Sequence, residues 1–320
     1  MLIAKGKRLI ISASFRTDIP ALYGEWFANR LRAGYCMVFN PYSGVPYRVS
    51  LTRVDADGFV FSTRNVSPFM KQLEEVGTLG YPFIVDCTIT GYPRELESSV
   101  IDPARSIQRL REISDRYRPR VAVWRYDPIL FTSLTPRAFH LENFERIARS
   151  LKGATDEVVI SFAQFYLKTR CNLEIAAREY GFTWWDPSHD EKLSLLAELR
   201  GIALDNGMEL TVCGQRELAV DGVKEAVCID PHRLSDVAGY PIEAGRKSHR
   251  KECSCHESRD IGEYDTCVNG CVYCYATKNL ETAKARYRVH DPSCEFLVRR
   301  GVPAVPDVRN CRDLAGGEAT

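Results

Sequence analysis

Short apolar, β-branched runs recur along this chain, separated by amphipathic stretches, and that alternation restricts the fold more than any other feature. The runs are Leu9–Ala13, Cys36–Asn40, Phe59–Thr63, Phe83–Thr88, Val121–Trp124, Val158–Phe162, Leu210–Cys213 and Ala226–Ile229. Between them lie helix-like segments at Ala21–Ala33, Pro68–Glu75, Pro103–Tyr117, Pro136–Leu151, Leu173–Tyr180 and Glu191–Asn206. Eight buried strands with intervening helices are what a (β/α)8 barrel requires, so the expected fold class is α/β with a (β/α)8-like barrel over residues 1–238. Val49–Phe61 also reads as a hairpin turning at Asp57-Gly58, which makes the barrel irregular or incomplete. From about Gly239 the periodicity fades into a charged, Cys-rich region, and residues 239–320 form a C-terminal extension in this reading.

In such barrels the active residues follow the strands, at the C-terminal mouth. The first run ends in Ser14-Phe15-Arg16-Thr17-Asp18, the fourth leads into Asp86-Cys87-Thr88, and the fifth ends in Arg125-Tyr126-Asp127-Pro128. Arg16, Asp18, Arg125 and Asp127 are therefore the candidate catalytic or ligand-orienting residues. Taken singly, Asp18 before Ile-Pro20 and Asp127 before Pro128 read equally well as helix caps or turn-formers.

The extension carries Cys267-Val-Asn-Gly-Cys271-Val-Tyr-Cys274, a C-x3-C-x2-C pattern. Three thiolates on one tight loop suit a four-iron–four-sulfur cluster and leave its fourth iron open to a small ligand. Asn269-Gly270 is a turn dipeptide that permits the left-handed backbone such a wrap needs. The segment after Cys274, from Ala276 to Arg288, has helical composition and is expected to turn its free N–H groups toward an anionic cluster. The competing reading is structural zinc, with His256 or Cys255 as fourth ligand, although ordinary zinc loops use paired C-x2-4-C spacings.

With Tyr273 before the last cysteine and Tyr275-Ala276 after it, this segment resembles the cluster loop of radical S-adenosylmethionine (SAM) enzymes. The resemblance implies a cluster on Cys267, Cys271 and Cys274, SAM on the open iron, and Tyr273 beside the adenine. In that superfamily the loop usually comes early, whereas here it lies near the C-terminus. The whole chain resembles instead an uncharacterised prokaryotic family. Its members begin like Ile11-Ser-Ala-Ser-Phe-Arg-Thr-Asp-Ile-Pro20 and end in a radical-SAM-like cysteine cluster.

Cys253-Ser-Cys255 lies upstream of the triad, and Cys213 and Cys228 end two runs that are neighbours in a barrel. These four are a candidate second site, either another four-iron–four-sulfur cluster or a tetrahedral zinc. Cys36, Cys87, Cys171, Cys294 and Cys311 have no paired spacing and read as packing thiols. None of the histidines His140, His189, His232, His249, His256 and His290 has metal-ligand spacing. Trp184-Trp185 reads as cover for a core edge, Arg246–Lys251 as a solvated linker, and Gly316-Gly317-Glu318 as a chance string in a terminus.

Composition removes several classes. The N-terminal residues lack a cleavage-type signal and read as leading into a first strand, and no apolar run approaches the ~20 residues of a membrane span. Twelve cysteines without a secretory signal point to reduced thiols or metal ligands in the cytoplasm. A net charge of +1 gives no global pull toward nucleic acid, which only a local basic rim would override. The expected function is a radical SAM-type enzyme acting on a small molecule and fed by ferredoxin or flavodoxin. The alternatives are an iron–sulfur redox or sensing protein that does not cleave SAM, and a barrel enzyme whose metal is structural.

Overall fold

The computed structural model describes residues 8–248 and 252–299. Residues 1–7, His249, Arg250, Lys251, Cys311 and 316–318, all weighed above, lie outside the described residues. In chain order the elements begin with β1 (Leu9–Ala13), α1 (Ile19–Leu22), α2 (Gly24–Ala33), β2 (Tyr35–Phe39), β3 (Pro46–Ser50) and β4 (Ala56–Thr63). There follow α3 (Met70–Thr78), β5 (Phe83–Thr88), α4 (Pro103–Tyr117), β6 (Ala122–Ile129), α5 (Arg137–Leu151), β7 (Glu157–Phe162) and α6 (Leu167–Tyr180). The last are α7 (His189–Asp205), β8 (Glu209–Val212), β9 (Lys224–Glu225), α8 (Pro231–Ala238), β10 (Ser258–Asp260) and α9 (Leu280–Arg288).

Local chemistry places the ends of these helices. Asp102 caps α4 ahead of Pro103, and Ser188 with Glu191 forms a capping box on α7, each satisfying backbone donors that a helix start leaves open. Gly34 closes α2 at φ 76°, a left-handed position that glycine occupies without steric cost.

Eight strands form one parallel sheet in the order β10-β1-β4-β5-β6-β7-β8-β9. The apolar runs on both faces of β4 explain themselves here. Phe59 and Phe61 pack outward with Phe27 and Phe69 of the helical layer, while Val60 points inward with Ile10, Ile84, Val123 and Val159. A sheet covered on both faces needs strands that are apolar on both faces. Among the described residues no strand ladder joins β9 to β10.

Three details differ from the sequence reading. The second run, as β2, leaves the main sheet and pairs antiparallel with β3; the position beside β1 is taken instead by β10 from the Cys-rich region. Asp57-Gly58 is no turn but lies inside β4. A Cβ at Gly58 would stand 2.5 Å from Pro82 O, so glycine is there to let β4 approach the chain entering β5, where Phe59 N donates to that carbonyl at 3.0 Å. The last run also shifts: β9 is Lys224–Glu225, and Ala226–Ile229 passes beyond the strand.

Candidate functional site

The loop carrying Cys267, Cys271 and Cys274 lies against the C-terminal ends of β1, β4 and β5. Segment 96–99, beyond β5, holds it by backbone pairing: Val272 N donates to Leu96 O (3.1 Å), Ser99 N to Asn269 O (3.1 Å), and Glu97 and Cys271 form an antiparallel bridge. Gly270 adopts φ 69°, and a Cβ there would lie 2.1 Å from Ser98 Oγ. The turn and the close approach both require glycine.

Beneath the loop is a buried polar network. Arg64, just past β4, donates from Nη1 to Thr90 Oγ1 and Glu97 Oε1, both at 2.7 Å, and from Nη2 to the Tyr273 hydroxyl at 2.5 Å. Thr90 Oγ1 (2.5 Å) and the Tyr273 hydroxyl both donate to Glu97. Tyr273 is buried, its ring edge-on to Tyr92 at 6.0 Å. In this conformation it anchors the loop, while Tyr275 stays on the surface with its hydroxyl donating to Phe15 O at 2.7 Å.

Asp18 is the second anchor. It caps α1 through Ala21 N (3.0 Å), and its other oxygen accepts Arg64 N (2.8 Å) and Asn269 Nδ2 (3.0 Å). Burial raises its pKa, and those hydrogen bonds oppose the rise. One carboxylate thus joins the ends of β1 and β4 to the cysteine loop.

The three cysteines are partly buried. Burial pushes the Cys267 thiol well up, with Asp18, Cys274 and Cys271 adding to the effect. Burial likewise pushes Cys271 up to about 12, opposed by Arg64 and raised further by Glu97 and Cys274. Two of the sulfurs have a donor at hand, the Asn269 backbone at Cys267 and Ala276 N at Cys274 Sγ, 3.3 Å away, while Cys271 has the Arg64 guanidinium near it. The expected helix begins later, as α9 at Leu280, and Asn279 takes its first N–H groups, so the helix start does not serve the loop.

Among the described residues no three His, Cys, Asp or Glu side chains are arranged as ligands of one metal ion. A single tetrahedral zinc with sulfurs at about 2.3 Å would bring its ligands to about 3.8 Å from one another. A multi-iron cluster takes one thiolate per iron and has no such requirement.

Arg16 and Arg125 occupy two further polar groups. Arg16 donates from Nε to Asp260 Oδ1 (2.8 Å) and from Nη2 to Asp260 O (2.9 Å). Its Nη1 and the neighbouring Thr17 Oγ1 are buried with no hydrogen-bond partner. Asp260 also accepts Ser14 Oγ (2.9 Å), Phe15 N (2.7 Å) and Gly262 N (2.9 Å). Arg125 pairs with Asp127, lies 4.0 Å from Asp86 and donates to Cys228 Sγ at 3.0 Å. Burial raises Asp86 to about 6 against the pull of Arg125.

The four remaining candidate cysteines come together at this second group. Cys213 Sγ is 3.4 Å from Cys228 Sγ, and the Cys255 thiol is hydrogen-bonded to both Cys228 and Cys253. None of the described cysteines is in a disulfide. His140 is buried between Tyr126 and Leu130, and Trp184 stacks on Phe165, which are packing roles.

A cleft with about 140 Å³ of free volume opens between β5 and α4, lined by Thr88, Thr90, Tyr92, Arg94, Glu97 and Asp102 among others. It shares Thr90 and Glu97 with the network under the loop. Sequence reasoning passed over Arg64, Glu97 and Asp260, whose only local signal is a charge in a stretch without periodicity.

No described helix is long and apolar enough to cross a membrane. No curated protein and no solved structure matches the chain. A family model described as a domain of unknown function, DUF1848, matches residues 10–276, from β1 to just past the third cysteine of the loop. The chain belongs to the DUF1848 family.

Proposed function

We propose that this chain is an iron–sulfur enzyme of the radical SAM type, with Cys267, Cys271 and Cys274 holding a four-iron–four-sulfur cluster and SAM as co-substrate. The observation that carries the reading is the loop itself. Three partly buried sulfurs sit on one short loop that backbone pairing with segment 96–99 and the Arg64–Glu97–Tyr273 network hold at the strand ends, and Ala276 N lies 3.3 Å from Cys274 Sγ. That donor set suits three thiolates on three separate irons better than one ion. When bound, the cluster supplies the electron that cleaves SAM and yields a radical able to remove a hydrogen atom from substrate.

The protein's residues bind and orient. Arg64, Glu97 and Tyr273 fix the loop, and Asp18 ties it to the strand ends. Arg16 Nη1 and Thr17 Oγ1, buried without partners, are donors awaiting an acceptor, and a ligand carboxylate fits them. The cleft beside Thr90 and Glu97 takes part of a small polar substrate. In this reading the sheet is an irregular (β/α)8-like barrel with the cysteine loop over its mouth. The protein works in the reducing cytoplasm, with ferredoxin or flavodoxin as electron donor.

The test is anaerobic reconstitution with iron and sulfide, then reduction and addition of SAM. The expected result is an electron-spin signal that changes with SAM and release of 5′-deoxyadenosine, both lost in Cys271→Ala. A cluster indifferent to SAM would leave a redox or sensing protein; zinc without iron would leave a structural metal.

A further inference from the structure

The parallel sheet ends in β9 on one side and β10 on the other, with no ladder between them among the described residues. The two edges nevertheless meet. His256 N donates to Ile229 O at 3.2 Å, and Ser254 Oγ donates to Glu225 of β9. Four cysteines sit on this seam. Cys213 follows β8, Cys228 lies just past β9, and Cys253 and Cys255 lead into β10.

We propose that Cys213, Cys228, Cys253 and Cys255 are the ligands of one divalent metal ion, zinc by preference, that staples the β8–β9 side of the sheet to the segment entering β10. The ion reinforces a seam that no strand ladder closes among the described residues. This site is separate from the triad and does not depend on the reading given to it.

Sulfur spacing selects the occupant. The 3.4 Å between Cys213 Sγ and Cys228 Sγ is far beyond a disulfide bond of about 2.05 Å. It is close to the roughly 3.8 Å edge of a thiolate tetrahedron around zinc. A second four-iron cluster would spread the sulfurs, one to each iron. The contacts run from Cys213 to Cys228, then to Cys255 and Cys253. Since no three of them yet surround one point, closing on an ion needs side-chain rotation at the two outer cysteines.

The surroundings suit such an ion. Zinc with four thiolates carries two net negative charges, and binding releases four thiol protons. Arg125, donating to Cys228 Sγ at 3.0 Å, offsets one charge, and the Ile229 backbone N–H points to Cys255. On its other side the group packs against Ile10, Val60, Ile229 and Ile242 of the inner core, which shields it from water. Thiolates in an apolar shell favour zinc or iron over harder cations.

The experiment uses full-length protein carrying Cys267→Ala, Cys271→Ala and Cys274→Ala, purified without added metal and analysed by elemental mass spectrometry. About one zinc per chain is expected. Adding Cys228→Ser should abolish it, and cobalt in its place should give the visible absorption of a tetrahedral thiolate site. Should the Cys228→Ser protein not fold, zinc is stripped from the triad variant and titrated back; a rise in melting temperature saturating at one equivalent is then expected. Iron with sulfide in the triad variant, a Cys213–Cys228 disulfide in peptide mapping, or four freely reactive thiols in metal-free native protein would each overturn the proposal.

Discussion

Arg64 and Glu97 show how much of the site depends on pairings that local sequence does not encode. Glu97 is 3% exposed and takes charge or hydrogen bonds from Arg64, Thr90 and Tyr273. Arg64→Ala would leave that carboxylate buried without its cation, at a cost of about 3–5 kcal/mol. Tyr273→Phe removes one neutral donor and should cost about 1 kcal/mol. Urea denaturation of both variants checks the order, and equal losses would mean that the ion pair is not the anchor. His140 gives a separate test at this scale. Burial lowers its pKa to about 4, while its hydrogen bond to the Leu130 carbonyl opposes the shift. The unfolded chain, with histidine near 6.5, binds the proton first as pH falls. Stability is therefore full above about pH 6.5 and declines toward pH 4, by an amount on the order of 3 kcal/mol. His140→Gln should flatten that slope in denaturation curves measured from pH 7 to 4. The cysteines were legible because three in one short loop form a spacing, and Asp18 because it precedes Ile-Pro20. Arg64, Glu97 and Asp260 were not, because each becomes meaningful only when distant segments meet.

Among the elements, β1 and β10 depend on one side chain more than on their ladder. The ladder spans three residue pairs, Ile10–Ser258 to Ser12–Asp260, too short to hold an edge by itself. Asp260 reinforces it by accepting from Ser14, Phe15, Arg16 and Gly262. Asp260→Ala should cost about 3–5 kcal/mol, because Arg16, 6% exposed, loses its counter-ion. Hydrogen exchange should accelerate at residues 10–12 and 259–261 ahead of the rest of the sheet, whereas uniform acceleration would contradict a local role. The strands that periodicity located, such as β1, β5 and β7, are those buried on both faces, where an apolar run has one plausible use. β10 escaped notice because Ser258-Arg259-Asp260 has no apolar pattern, its place being set by Asp260 and not by burial. β2 misled for the opposite reason. Its apolar residues Cys36 and Val38 join the same core as Phe27 and Phe59, but from a hairpin outside the main sheet, and periodicity reports burial without saying from which element.

For the molecule as a whole, the sequence suggests a boundary near Gly239, and the contacts across that point allow a strong prediction. Residues beyond it supply β10 to the sheet and Ile242, Cys253 and Cys255 to the inner core. They also accept hydrogen bonds from side chains of the first helices. Tyr23 donates to Thr266 O (2.7 Å), Trp26 to Cys294 O (3.0 Å) and Asn29 to Pro292 O (3.0 Å). Phe296 stacks on Phe39 of the hairpin at 4.5 Å. A chain ending at residue 238 would keep nearly every helix and strand, yet leave Arg16 without Asp260 and expose one edge of β1. Buried polar groups that lose their partners cost about 1–3 kcal/mol each, and several would be lost together. Against a typical net stability of about 5–15 kcal/mol, that is enough to prevent a unique fold. The truncated chain should therefore retain helical circular dichroism but lose cooperative thermal unfolding and bind hydrophobic dyes. Residues 239–320 alone, whose described part would lose the surface it packs on, should give no cooperative transition at all. A truncated chain that melts sharply within a few degrees of the full protein would show the two parts to be independent domains, with the cysteine loop docked onto a finished body.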